Sequence, residues 1–285
     1  MNKKLYAVLE QGSKPNTRLA KNHKKEFSQE FCDFFRLNWA NKKNDKTASF
    51  FAENITWSEG RSTLFEKNKD KYKYYIFIDD DIVFKFNKNK FKRYFDKLLN
   101  FKNSFFDQKS KSISSEIARL LEKYKPIHAS IPSTRWPHFV EKYKEEVFLM
   151  RGGDLCVQIF RSDFANLMFP TLFHGSGGSM WYAQFIAHQL YPEKSIFLNS
   201  LKAINTVEIN LKGSIRRSKN ITSKQMAEKF NKLLKPEYQD IFRNWKKNID
   251  NTKNRLVSKP SIEYEEIDVN DINSLFIEPV FNANV

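Results

Sequence analysis

Two cysteines, Cys32 and Cys156, are all that 285 residues supply. They stand far apart, so no disulfide framework and no cysteine-based zinc site is implied, and a reducing compartment is the default. Long apolar runs are missing as well: nothing approaches the ~20 apolar residues of a membrane helix. The apolar stretch after the basic start, Leu5 to Leu9, is too short for a signal-peptide core and ends at Glu10. The expectation is a soluble, cytoplasmic protein. There is no internal repeat. The composition of a disordered chain is absent too, because hydrophobic residues make up 40% and aromatics 15%, enough for a real core.

Acidic residues are the other shortage. With 49 Lys and Arg against 33 Asp and Glu, the formal charge is +16. That balance suits an anionic partner such as nucleic acid, a membrane face, a nucleotide or an acidic glycan. A plainer origin stays open: a chain rich in Lys, Asn, Phe and Ile is what an AT-rich genome encodes, and the excess lysine is then solvated surface.

Against this basic background one acidic feature stands out. Asp79, Asp80 and Asp81 end the apolar run Tyr74-Tyr75-Ile76-Phe77-Ile78, and Ile82-Val83-Phe84 follows. The run reads as a buried strand of an α/β sheet. Such a sheet binds ligands beyond the carboxyl ends of its strands. Three adjacent carboxylates repel one another, and a hard divalent cation, Mg²⁺ or Mn²⁺, is the simplest way to neutralise them. A solvated turn is the plainer alternative.

The remaining pattern fits the α/β class. Leu5 to Leu9 reads as a first strand, followed by a Gly-Pro loop at residues 10–16. Residues 17–40 read as a helix with Phe27, Phe31, Phe34, Phe35 and Leu37 on one side. Residues 48–55 suggest a second strand, and Trp57 to Ser62 leads into a helix over 63–69. Helices are expected near 90–99 and 114–123, the latter with Ser114 and Ser115 as caps. Strands are expected at 126–132, 155–160, 195–198 and 203–209. Helices are expected at 164–169 and 180–190, the second preceded by the glycine-rich loop His174 to Ser179. Residues 1–212 form the expected catalytic domain. Residues 213–285 form a helical extension, interrupted at Pro236, with a tail.

Ser58, Gly60, Arg61 and Leu64, followed by the strand Tyr74 to Asp81, resemble the GT-A type of glycosyltransferase with its Asp-x-Asp motif. The resemblance continues at Gly152-Gly153-Asp154, Arg161-Ser162-Asp163 and Ser179 to Gln184, and spans roughly residues 3 to 210. It implies a Rossmann-type sheet flanked by helices. It also implies a nucleoside-diphosphate sugar as donor and a glycan or lipid-linked acceptor. In that family the Asp-x-Asp carboxylates hold a metal against the donor diphosphate. Asp79 and Asp81 are then the metal ligands, with Asp79 or Asp80 nearest the ribose. A late histidine that often completes such a site is missing from Ile204 to Asn210, which leaves Glu208, Asn205 or His174 to substitute.

Other roles follow on the same reading. Arg61 pairs with a phosphate or with the aspartates, unless it is a plain surface arginine. Gln11 and Gly12, after the first strand, lie where a base or ribose would bind, or form a simple loop. A general base is sought among Asp154, Asp163 and His174; Asp163 also reads as a helix cap. Trp136, Trp181 and Tyr182 are candidates to stack on acceptor sugars, although aromatics at helical spacing also build cores. The basic, Phe-rich stretch 85–111 suits contact with an anionic membrane face. A nucleic-acid-binding protein or metal-dependent nuclease is the competing reading. It has no recognisable nucleic-acid module behind it, and nucleic acid is not the expected partner.

Overall fold

The computed structural model describes residues 4–40, 43–87, 112–133, 145–150, 152, 156–175, 177–206, 223–249 and 260–281. Its first half alternates strand and helix: β1 (Lys4–Gly12), α1 (Arg18–Glu26), β2 (Cys32–Asn38), β3 (Phe50–Phe51), α2 (Trp57–Glu66), β4 (Tyr72–Asp79) and β5 (Ile82–Phe86). Then come α3 (Ile113–Tyr124), β6 (His128–Ser130), β7 (Val147–Leu149), β8 (Val157–Arg161), α4 (Ser162–Met168) and α5 (Trp181–Leu190). After β9 (Ser195–Leu198) and β10 (Leu201–Asn205) the chain is helical: α6 (Ser223–Leu233), α7 (Pro236–Ile249) and α8 (Val269–Asn273).

Eight strands form one sheet in the order β3-β2-β1-β4-β8-β6-β9-β7. Strands β1, β2, β3 and β4 are parallel, β8 runs against β4 and β6, and β9 resumes the common direction beside β6. The β1–β4 strands are apolar on both faces, as a sheet covered by helices requires. Tyr6, Val8, Ile76 and Ile78 pack with α3; Ala7, Leu9, Tyr75 and Phe77 face the core shared with α2, α4 and α5. From β1 the chain moves outward through β2 to β3, then returns to place β4 on the other side of β1. The connections therefore diverge between β1 and β4. A crevice at such a point, outside the carboxyl ends of the strands, is where α/β sheets bind ligands.

Several expectations change. The single helix over 17–40 is instead α1 followed by β2, which pairs with β1 over seven residues. The helix expected at 63–69 starts earlier, at Trp57, where Thr56 and Glu59 form a reciprocal capping box. Helix α3 is capped by Ser112, with Ser115 as its third-position partner, rather than by Ser114. The helix expected near 90–99 lies outside the described residues, as does the boundary expected at 212. The helical extension is present and is broken at Pro236. It shares the main core: Phe230 and Phe242 pack on Phe185 of α5, at ring distances of 6.0 and 5.1 Å. No helix among the described residues is long and apolar enough to cross a membrane.

Candidate functional site

The acidic turn lies at the expected strand end. Asp79 closes β4, Asp80 and Asp81 make a tight turn, and β5 leaves it. β10 pairs antiparallel to β5, with Asn205 opposite Ile82. Thr206 then donates to the Asp81 carbonyl through its backbone N–H (2.9 Å) and its hydroxyl (2.8 Å). The stretch in which a late ligand was sought thus returns to the acidic turn. Glu208 itself lies outside the described residues.

Helix α2 supplies one wall. Trp57 Nε1 donates to Asp79 Oδ1 at 3.0 Å. Arg61, only 1% exposed, lies under the turn with its guanidinium 3.8 Å from the Trp57 ring centroid. Its Nη2 is 3.5 Å from Asp79 Oδ1, and its Nη1 is 3.4 Å from Gln158 Oε1 on β8. Of the two partners considered for Arg61, the structure pairs it with an aspartate. Gln11 is buried against the same helix. Its amide accepts from Trp57 Nε1 at 3.0 Å and donates to the Trp57 carbonyl at 3.1 Å. A ribose or base contact by this side chain would have to displace those bonds. Gly60 makes room for it, since a Cβ there would fall 2.4 Å from the Gln11 side-chain amide.

The opposite wall was not visible in the sequence. Glu10 and Arg36 face each other across β1 and β2, both fully buried, with Arg36 Nε donating to Glu10 Oε1 at 2.5 Å. His23 of α1 meets the other Glu10 oxygen at 2.5 Å. Arg36 also pairs with Asp45, which accepts from Asn38 and from the Thr47 hydroxyl and N–H. Burial pushes the Asp45 carboxyl up, but these hydrogen bonds outweigh it and hold it far below the carboxylate range. Arg36 Nη2 finally lies 3.5 Å from Asp80 Oδ2. Gly12 sits between them: a Cβ there would fall 2.0 Å from Asp80 Oδ2 and 2.5 Å from Arg36 Nη2. The structure thus gives Gly12 the task of clearing space for an ion pair.

His174 is on the rim, its side chain 59% exposed and its Nδ1 3.7 Å from Glu59 Oε1. Burial pushes the Glu59 carboxyl up, but hydrogen bonds from Thr56 and the nearby His174 hold it below its usual range. The loop after His174 is tied to α2: Gly175 N–H donates to the Ser58 hydroxyl (2.8 Å) and its carbonyl accepts from Ser58 N–H (3.1 Å).

Two candidates are corrected. Tyr182 is 1% exposed; its hydroxyl donates to the Met168 carbonyl at 2.5 Å and accepts from Leu172 N–H at 3.3 Å. It is a core residue and presents no face to an acceptor. Asp163 accepts from Arg161 Nε at 2.8 Å, and the pairing of Tyr74 with Arg161 puts it by the amino end of β4, opposite the acidic turn. Trp181 is partly exposed, but Lys246 Nζ lies 4.5 Å over its ring. Asp154, Trp136 and the basic stretch from residue 88 lie outside the described residues.

Carboxylate oxygens are the donors that Mg²⁺ and Mn²⁺ prefer. The side chains of Asp79 and Asp80 are 29% and 25% exposed. Among the described residues, no three His, Cys, Asp or Glu side chains form a ready-made metal cage.

No protein-family model matches the sequence, and no curated protein matches it. Among solved structures the chain is similar to the crystal structure of A197 from STIV, at 13% sequence identity and a TM-score of 0.38. The match covers 72% of this chain and 86% of that one.

Proposed function

We propose that this chain is a GT-A type glycosyltransferase that takes a sugar from a nucleoside-diphosphate donor and passes it to a glycan or lipid-linked acceptor. The observation that carries the reading is the acidic turn at the carboxyl end of β4, beside the end of β1. Asp79 and Asp81 would hold the cation, which supplies positive charge to the departing diphosphate. Arg61 and Trp57 fix Asp79 from below, so the carboxylate is aimed before substrate arrives. In the transfer, the acceptor oxygen forms the new bond to the anomeric carbon as the bond to the diphosphate breaks. The acceptor proton has to leave to a base. His174 on the exposed rim, beside Glu59, suits that role among the described residues.

Thermal-shift measurements with UDP- and GDP-sugars, with and without Mn²⁺, test the reading. At least one donor should raise the melting temperature, and more so with Mn²⁺. If none does, the donor reading is wrong. Salt-sensitive DNA binding in the micromolar range would favour the nuclease alternative instead.

A further inference from the structure

The buried charges behind the acidic turn have no part in the chemistry above, yet they end on it. Arg36 is completely buried, and its pose is fixed by three buried side chains and one loop carbonyl. Nε is on Glu10, Nη1 is on Asp45 and 3.2 Å from the Thr47 hydroxyl, and Nη2 is 3.0 Å from the Lys14 carbonyl. The same Nη2 faces Asp80 at 3.5 Å. The bare Cα of Gly12 lets the two approach over the end of β1.

We propose that Arg36 is a positioning residue for the acidic turn. It holds Asp80 against the end of β1 and thereby sets how Asp79 and Asp81 are presented to a cation and a diphosphate. The proposal rests on the donor-site reading given above. Its physical basis is charge balance. Arg61 stands beside Asp79 and Arg36 beside Asp80, so each of these carboxylates has a fixed counter-charge before any cation arrives. A site whose ligands are oriented by buried partners binds its ion more tightly than one whose ligands must be ordered on binding.

The test is a Mn²⁺ titration followed by electron paramagnetic resonance, with UDP or GDP present, on variants first shown to be folded by circular dichroism. Gly12→Ala pushes Asp80 away from Arg36 without touching a charge; Arg36→Lys keeps the charge and loses the fork. Each should weaken Mn²⁺ binding by about 10- to 100-fold, the usual cost of losing a partner that orients a metal ligand. In an Asp80→Asn background, Gly12→Ala should add little, because the contact it disturbs is already weakened. Unchanged Mn²⁺ affinity in the folded single variants would overturn the proposal, and so would full additivity with Asp80→Asn. Should Arg36→Lys not fold, the Gly12→Ala pair decides alone. Asp81→Ala separates the two ideas. If it binds Mn²⁺ like the wild type, the donor-site reading fails. If it loses Mn²⁺ while Gly12→Ala keeps it, only the role of Arg36 fails.

Discussion

Two clusters of charge flank the carboxyl ends of β1 and β4, and they are built in opposite ways. In the Glu10–Arg36–Asp45 cluster every member is essentially sealed from water, and the contacts are short. In the acidic turn the Asp79 and Asp80 carboxylates are a quarter or more exposed, and their arginine contacts are long, at 3.5 Å. A sealed cluster must satisfy every charge internally, because an ion without a partner there costs several kcal/mol. An open one can leave charge for a ligand. The difference separates a cluster that holds the fold from one that is available for chemistry, although a single residue, Arg36, touches both.

The largest expected effect breaks the sealed cluster. Arg36→Met removes the guanidinium that pairs with both Glu10 and Asp45 and leaves the two buried carboxylates without it. Losing one partner of a buried pair costs about 3–5 kcal/mol, and urea denaturation should show a loss of that size. A loss below about 1 kcal/mol, within the range of an exposed ion pair, would mean that the cluster is hydrated and that the contrast with the turn is false.

Arg36 also explains which part of the molecule could be read from the sequence. The strands β1 and β4 announce themselves as apolar runs, and the acidic turn is visible as three consecutive letters. Strand β2 does not. Its face toward α1 carries Cys32, Phe34 and then Arg36, so the apolar alternation fails at the third inward position. The phenylalanines at 27, 31, 34 and 35 meanwhile mimic helical spacing. The residue that couples the two clusters is the one that disguised the strand carrying it. Gly12 reads in the sequence as a base or ribose contact or a simple loop, because clearance for Asp80 depends on a pairing that sequence does not display. Tyr182 was misassigned because Trp181 and Tyr182 are adjacent letters on a helix, where neighbours face different ways. Proline was the more reliable guide: Pro236 does open α7, as a residue suited to a first helical turn.

A buried polar group with no counter-charge gives an intermediate effect. His128 of β6 is fully buried, stacks on Phe160 at 4.9 Å and lies 5.9 Å from His188, whose Nδ1 accepts from Trp245 Nε1. Neither of its ring nitrogens has a hydrogen-bond partner among the described residues. Burial pushes its pKa down to about 3, so the folded protein holds it neutral while the unfolded chain protonates it near pH 6.5. The unfolded state therefore binds more protons between those values, and stability must fall as pH falls through that window. Between pH 7 and 5 this one group should cost the wild type about 2 kcal/mol. His128→Phe should flatten the slope of denaturation free energy against pH by that amount. An unchanged slope would show that water reaches the imidazole and that this region is not sealed.

The smallest expected effect is at the acidic turn itself, and it is the sharpest test of the contrast. Asp81→Asn removes one of three neighbouring negative charges but keeps the carbonyl that Thr206 grips through two hydrogen bonds. The side-chain shape is retained, and the repulsion between adjacent carboxylates is reduced. Folding free energy should therefore stay within about 0.5 kcal/mol of the wild type, with any change in the stabilising direction. The effect should appear instead in Mn²⁺-dependent stabilisation by a nucleotide-sugar, which should be strongly reduced. A destabilisation of more than about 2 kcal/mol would place Asp81 among the structural charges, alongside Glu10 and Asp45. The acidic turn would then be a second sealed cluster rather than an open one.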